Sequence, residues 1–288
     1  MSAVSLVTVP AERAAPRKAH WFRQATLMSG LILLLIIVGM CVFAPLLTSY
    51  NPDTQNLTAA LQGPSAHHLL GTDQLGRDTW SRLLYGGRAD LQVAFIAVLF
   101  PFVLGTVLGS LAGYFGGWVD LLIMRIVDIV VAFPFYVLII ALVFVLGSGE
   151  RSIYIAITVI GWVSYARIIR GEILVAKRQE YVAAAQSGGL SNLRIMGRHL
   201  LPNVITQAII YAMSDIVQDI LAIVTLSYLG LGIQPPTPDW GTMIADGQDF
   251  LTTHWELTTI PGLAVVVTGL ALSLIGDGLA DLLRPGRS

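Results

Sequence analysis

The sequence predicts an all-α, polytopic membrane protein with six transmembrane helices and both termini on the cytoplasmic side. Three observations predict it. Of 288 residues, 55% are hydrophobic and only 12% charged, with a mean hydropathy of +0.72, whereas an ordinary soluble domain holds about 25% charged residues. The apolar residues gather in runs near the roughly 20 residues that cross a hydrocarbon core of about 30 Å. Lysine and arginine cluster on one side of those runs.

The spans fall at 27–48, 91–113, 119–146, 153–172, 204–230 and 258–283. The first follows Arg13, Arg17, Lys18 and Arg23. It is too long for the apolar core of a secretory signal and no small-residue cleavage site follows, so it reads as a retained span. The third is the longest and is expected to tilt or extend past the bilayer. Pro101 and Pro134 fall inside spans, which membrane helices tolerate where neighbours satisfy the freed carbonyl. Cys41, the single cysteine, lies in the first span and reads as a small core residue. It excludes an intrachain disulfide and a cysteine-based metal site.

With the N-terminus inside, the inner segments hold four basic residues in 1–26, six between spans four and five (Arg167, Arg170, Lys177, Arg178, Arg194, Arg198) and two at the C-terminus (Arg284, Arg287). The outer segments hold four (Arg77, Arg82, Arg88, Arg151). Twelve against four orients the chain by the positive-inside rule. It then divides into a cytoplasmic tail at 1–26, a first span with an external loop to 86, a core at 87–283 containing a cytoplasmic loop at 177–203, and a short tail at 284–288. A net charge of −1 points to no nucleic-acid partner.

That cytoplasmic loop contains EYVAAAQSGGLSNLRIMGRHLLPN at 180–203. Glu180 to Gln186 favours a helix, Gly188 and Gly189 break it, and Ser191 can cap a second short helix. There Leu193, Met196 and Leu200 fall on one face at i, i+3 and i+7 spacing, and Arg194 and Arg198 flank that face. Pro202 marks passage into the fifth span. The segment reads as a helix, a bend and a helix fitting a groove on a cytosolic partner. The competing reading is a positively charged helix lying at the membrane interface.

Glu180-Tyr181-Val182, Ala184-Ala185, Gly189, Ile195, His199 and Leu201-Pro202-Asn203 resemble the EAA loop of ABC importer permeases. The pattern departs at Ala183, where that family carries the glutamate that names the motif. Further blocks are similar to the C-type permease of the dipeptide, oligopeptide and nickel subfamily: HHLLGTDQLGRDTWSRLLYGGR (67–88), GYFGGWVD (113–120), MRIVDIVVAFP (124–134), LSYLGLGIQPPTPDWGTMI (226–244) and IPGLAVVVTGLALSLIGDGLADLLRP (260–285). The resemblance implies a MetI-like permease core in the bacterial inner membrane, importing di- or oligopeptides, with nickel complexes and glutathione as alternatives. Its implied partners are a second homologous permease forming a heterodimer, two ATP-binding subunits and a periplasmic or lipid-anchored solute-binding protein. It further implies that Glu180, Ala184, Ala185, Gly189, Leu193, Ile195, Met196, Leu200 and Pro202 form the element that docks on the ATPase.

No nucleotide-binding motif is expected in the chain, because a phosphate-binding loop needs lysine directly after glycine, and Lys18 follows Arg17 while Lys177 follows Ala176. No cofactor, metal or catalytic cluster is expected either. His67 and His68 are adjacent, a spacing unsuited to one ion. The GTDQLGRD block at 71–78 reads as packing for the external loop or as a surface for an external partner, and the proline-rich IQPPTPDWG at 233–241 as a gate, a docking surface or a simple turn. Arg125 and Asp128, three apart in the third span, can form a structural ion pair. Asp215, Gln218 and Asp219 share a face deep in the fifth span, where charge is costly. They either line the translocation pathway and attract cationic groups such as a peptide amino terminus, or meet polar groups of a second subunit, or stay protonated. In an ion-coupled secondary transporter, a rival class, Asp215 and Asp219 would be the coupling sites.

Overall fold

The computed structural model describes residues 18–283, which are almost wholly helical, with no strand among them beyond an isolated Thr72–Asp78 bridge. The tail expected at 284–288 lies outside the described residues, as does residues 1–17 of the tail expected at 1–26; from Lys18 the chain is already helical. The elements are α1 (Lys18–Val42), α2 (Ala44–Leu47), α3 (Thr79–Phe115), α4 (Gly117–Val131), α5 (Phe135–Leu146), α6 (Glu150–Ala176), α7 (Glu180–Ser187), α8 (Asn192–Ile195), α9 (Leu201–Tyr228), α10 (Trp240–Gly247) and α11 (Glu256–Leu283). Five of the described segments are long and apolar enough to cross a membrane, and the α4–α5 pair makes a sixth when taken as one span.

The core is organised around α3 and α6. A Cβ at Gly105 would lie 2.3 Å from the Trp162 carbonyl oxygen, and one at Gly109 would lie 2.5 Å from that of Ala166. The two backbones therefore touch along a seam of glycines four apart, the close approach by which membrane helices associate when water supplies no driving force. Val93, Ala94 and Ala97 of α3 and Ile153, Ile157, Ile169 and Ile173 of α6 belong to the buried cluster along this pair. The bundle is completed by α9 against both helices and α1 against α11.

The third span is not the straight or tilted helix expected at 119–146. The α4 and α5 axes meet at 91°. Pro134 accounts for the break: its ring fixes φ, here −60°, and disfavours helical geometry in the residue before it. Pro101, by contrast, stays inside an unbroken α3, which also starts at Thr79 rather than 91. Asp78 sets that start, its Oδ1 accepting the Ser81 N–H at 2.7 Å as an N-cap.

At this end of the bundle the 71–78 block folds back onto the helices. Arg77 Nε donates to Asp73 Oδ2 at 2.6 Å and its Nη2 to Asp246 Oδ2 on α10 at 3.0 Å. Arg82 of α3 stands 3.4 and 3.8 Å from the same two carboxylates, and His68 Nδ1 lies 2.9 Å from Asp78 Oδ2. In the proline-rich segment, where Pro235 and Pro236 are joined by a cis bond, only 234–237 are exposed. Trp240 is a buried anchor: its N–H donates to Asp90 Oδ2 at 2.9 Å and its indole N–H to the Leu83 carbonyl at 3.0 Å. Asp239 caps α10 through the Thr242 N–H at 3.0 Å, and burial pushes its carboxyl above the usual range.

Two outcomes follow. Gly109→Val should lower stability by about 2 kcal/mol or more, since a backbone carbonyl cannot yield, whereas Gly171→Ala, which has open space, should be neutral or mildly stabilising; thermal unfolding in detergent reads both. Asp239 has a folded-state pKa above its unfolded value, so its favourable contribution is full at acid pH and is lost as pH rises through the raised value. Asp239→Asn keeps a capping oxygen and should flatten the fall in midpoint as pH rises above the ordinary carboxylate range of about 4; an unchanged slope would exclude this role for burial.

Candidate functional site

Beyond α6 the chain forms an elbow outside the long helices. The alanine-rich stretch makes α7, and the break comes at Gly188 and Gly189, where Gly189 has φ +75°, a conformation that costs an L side chain roughly 1–2 kcal/mol. The short α8 then passes through a π turn at Met196–Leu200 directly into α9, with Pro202 in its first turn. Val182, Ala185, Ile195 and Leu200 turn inward and join the main core. Glu180, Tyr181, Ala183, Ala184 and Leu193 are exposed. The elbow is tied to α3: Tyr114 donates its hydroxyl to Asn192 Oδ1 at 2.9 Å, and the Lys177 ammonium donates to the Tyr114 carbonyl while lying 5.4 Å from the centre of its ring.

Leu193, Met196 and Leu200 do not form the single outward stripe expected of them. A π turn widens the helix and shifts its register, so Leu193 is 76% exposed, Met196 half-buried and Leu200 completely buried. Ser191 occupies the N-cap position of α8, but its side chain accepts no hydrogen bond.

A cavity of about 190 Å³ lies between the α4–α5 bend, α6 and α9, with Phe133, Phe135, Ser164, Tyr211, Asp215 and Gln218 among its lining residues. Asp215, 7% exposed, accepts the Tyr165 hydroxyl on Oδ2 at 2.7 Å. Tyr165 is held edge-on between Phe102 at 5.5 Å and Tyr211 at 5.1 Å. Asp219, one turn further along α9, is 2% exposed and its Oδ2 has no hydrogen-bond partner among the described residues.

The predicted face at 215–219 is thus only partly on the cavity: Asp215 and Gln218 line it and Asp219 does not. Asp215 finds its partner on α6 of its own chain. Arg125 and Asp128 are both exposed, and among the described residues neither enters an ion pair; the expected pair is replaced by Asp120 with Arg170, whose Nη2 donates to Asp120 Oδ2 at 2.6 Å, joining α4 to α6. An exposed pair one turn apart gains little, whereas Asp120 is carried on the part of α4 that faces α6. Tyr165, Tyr114, Asn192 and Asp246 were not singled out by the sequence, and Lys177 only as one of the basic residues that orient the chain. Tyr165 carried one signal, a hydroxyl within an apolar run that needs a partner when buried.

A bundle of apolar spans, one of them broken beside a polar cavity, with an ordered helical elbow outside it, is the membrane part of a transporter. Residues 105–288 match the family described as "Binding-protein-dependent transport system inner membrane component", and residues 20–64 match the N-terminal transmembrane domain of oligopeptide transport permease C. The chain is 40% identical over 256 residues to the dipeptide transport system permease protein DppC of Alkalihalophilus pseudofirmus, covering 89% of this chain and 84% of that one. It is 40% identical to DppC of Bacillus subtilis over 90% of this chain and 81% of that one. It is 35% identical to the glutathione transport system permease protein GsiD of Pectobacterium atrosepticum over 97% and 96%. The chain belongs to the family of binding-protein-dependent transport system inner membrane components, and is a multi-pass permease of the ABC importer type.

Proposed function

We propose that the chain is one of two non-identical permease subunits of an ATP-driven importer of di- or oligopeptides, with the 180–202 elbow as its contact to an ATPase subunit. Both termini and the elbow are cytoplasmic in this reading, a solute-binding protein delivers substrate from the other side, and two separate ATP-binding subunits supply the energy. One observation carries the coupling role: α8, the π turn and α9 form a single continuous path from the exposed Leu193 to the cavity at Asp215. The elbow is ordered, anchored by Tyr114 and Lys177, and presents small side chains at Ala183 and Ala184 together with Tyr181 and Leu193. That face suits a groove on a partner. ATP-driven closure of the ATPase pair would displace the elbow and shift the helices between outward and inward access.

Peptide substrates are supported by the relatives named as dipeptide permeases. Glutathione, itself a small peptide, is the second reading, favoured by the relative named for it. The polar face at Asp215 and Gln218 is placed by this reading on the translocation pathway. An ion-coupled carrier is disfavoured, since the chain belongs to a binding-protein-dependent family.

The elbow can be tested without disturbing the fold. Leu193 is exposed and Gly189 has nothing within 4 Å of an added Cβ, so Leu193→Asp should leave membrane levels unchanged. In the reconstituted importer it should reduce substrate-stimulated ATP hydrolysis and uptake at least roughly tenfold, the loss of a buried interface anchor of about 1.4 kcal/mol or more. Gly189→Val should act in the same direction through backbone strain. Normal coupling in both would rule the elbow out. Leu200→Ala, which opens the core, should instead lower stability by about 2–5 kcal/mol.

A further inference from the structure

The cavity beside the α4–α5 bend has a chemistry of its own. Of its lining residues only Asp215 carries a formal charge. The bend brings the C-terminal end of α4 and the N-terminal end of α5 to the same cavity, through Val130 and Val131 on one side and Phe135 on the other. Those helix ends carry partial charges of opposite sign, about −0.5 and +0.5, which oppose one another. The charge that Asp215 carries when ionised therefore decides the sign of ligand that the cavity prefers.

Among the described residues no cation neutralises it. Neither Asp215 nor Asp219 enters an ion pair among the described residues. Asp215 meets only hydroxyl-bearing neighbours, Tyr165 on α6 and Tyr211 on its own helix, and Asp219 adds a second carboxyl one turn away with an oxygen unpartnered. Buried charges are ordinarily paired, so this acidic pair lacks a positive partner. Aromatic side chains line the rest of the space: Phe133 and Phe135 at the α4–α5 bend, and Tyr211 one turn from Asp215 on α9. A carboxylate and aromatic rings lining one cavity suit an organic ammonium, whose charge is attracted to ring faces and whose adjoining methylene is compatible with them. A hydrated inorganic ion would gain nothing from the rings. A volume of about 190 Å³ equals roughly six waters at about 30 Å³ each, room for an amino group and the first residue that bears it.

We propose that this cavity is a subsite for the ammonium group of the transported molecule, with Asp215 as counter-charge, Tyr165 as the residue that positions its carboxylate, and Phe133, Phe135 and Tyr211 as the walls. The inference rests on the permease reading and adds the ligand class: primary organic ammonium, as at a peptide amino terminus. Phe133 and Phe135 flank Pro134, so the bend itself shapes the subsite.

The test uses the assembled importer in proteoliposomes with Ser164→Cys in the cavity wall; the native Cys41 is buried, and the unsubstituted chain is the control. A cationic methanethiosulfonate reagent should modify the S164C thiol about tenfold faster than its anionic counterpart, the ratio expected for one charge interaction of about 1.4 kcal/mol. Glycinamide should slow that reaction and N-acetylglycinamide should not. Asp215→Asn should abolish both the preference and the protection, and Asp215→Glu should retain them. Equal rates for the two reagents, or equal protection by glycinamide and its acetylated form, would overturn the proposal, and both readouts stand in the Asp215 background even if Asp215→Asn fails to assemble. Failure of the permease reading is separate: the unsubstituted importer would show no ATP-dependent peptide uptake.

Discussion

The contact between the α3 and α6 backbones at Gly105 and Gly109 is the constraint on which the other placements depend. With no side chain between them, the helices cannot rotate or separate without losing contact along the seam. The residues that meet Gly105 are Trp162, Tyr165 and Ala166, so the same turn of α6 that closes the seam also aims the Tyr165 ring between Phe102 and Tyr211 and its hydroxyl at Asp215. Two turns further on, Gly113 approaches Arg170 and Ile173, and here α6 offers Arg170 to Asp120 while Tyr114 receives Lys177 and holds Asn192. One packing contact thereby sets both the polar wall of the cavity and the base of the elbow.

The two ends of the bundle are held by different physics. At the end bearing 71–78, Asp73, Arg77, Arg82 and Asp246 balance two positive and two negative groups, with Asp73 and both arginines buried. Such a cluster fixes how α10 sits on α3 and is intolerant of losing one member, because the remainder would be left buried and uncompensated. At the elbow the polar anchors are single hydrogen bonds and a cation over a ring, and Val182, Ala185, Ile195 and Leu200 tie it to the main core by apolar packing. One end is thus fixed by compensated charge and the other by burial, so the elbow is held to the helices as firmly as the core it joins.

The all-helical class and six apolar spans were legible because hydropathy needs no tertiary information. The elbow was legible too, since alanines followed by paired glycines have only a local meaning. What escaped depends on partners distant in sequence. The 119–146 run is apolar apart from Asp120, Arg125 and Asp128, and no charge follows Asp128, so Pro134 could be read as a tolerated kink; its consequence, a bend of 91°, depends on how neighbouring helices receive α5. Arg125 and Asp128 satisfied the spacing rule, yet Asp120 met Arg170, fifty residues away, because side-chain spacing says nothing of which face of α4 turns to α6. Leu193, Met196 and Leu200 followed a regular helical period, and the π turn between them spoiled it. Asp246 gave no signal, being one acid in an ordinary amphipathic turn.

The π turn at Met196–Leu200 lies between the exposed Leu193 and the α9 residues that reach the cavity. From Leu193 to Asp215 the path is about 33 Å at 1.5 Å per residue. A uniform helix of that length transmits a push as a rigid rod, moving everything it touches. A π turn, closed by i→i+5 bonds, inserts an extra residue into the helical ladder and is often found at functional sites, so in the proposed mechanism displacement at the elbow can be taken up there as rotation of α9. Rotation matters more than translation for Asp215, because its carboxylate is held by the Tyr165 hydroxyl on a different helix. Turning α9 against α6 would stretch that bond and re-aim the carboxylate relative to Phe133 and Phe135. The same joint that makes the elbow's outer face irregular is therefore the one through which, in the proposed mechanism, nucleotide-driven motion would change the affinity of the cavity for its cationic ligand.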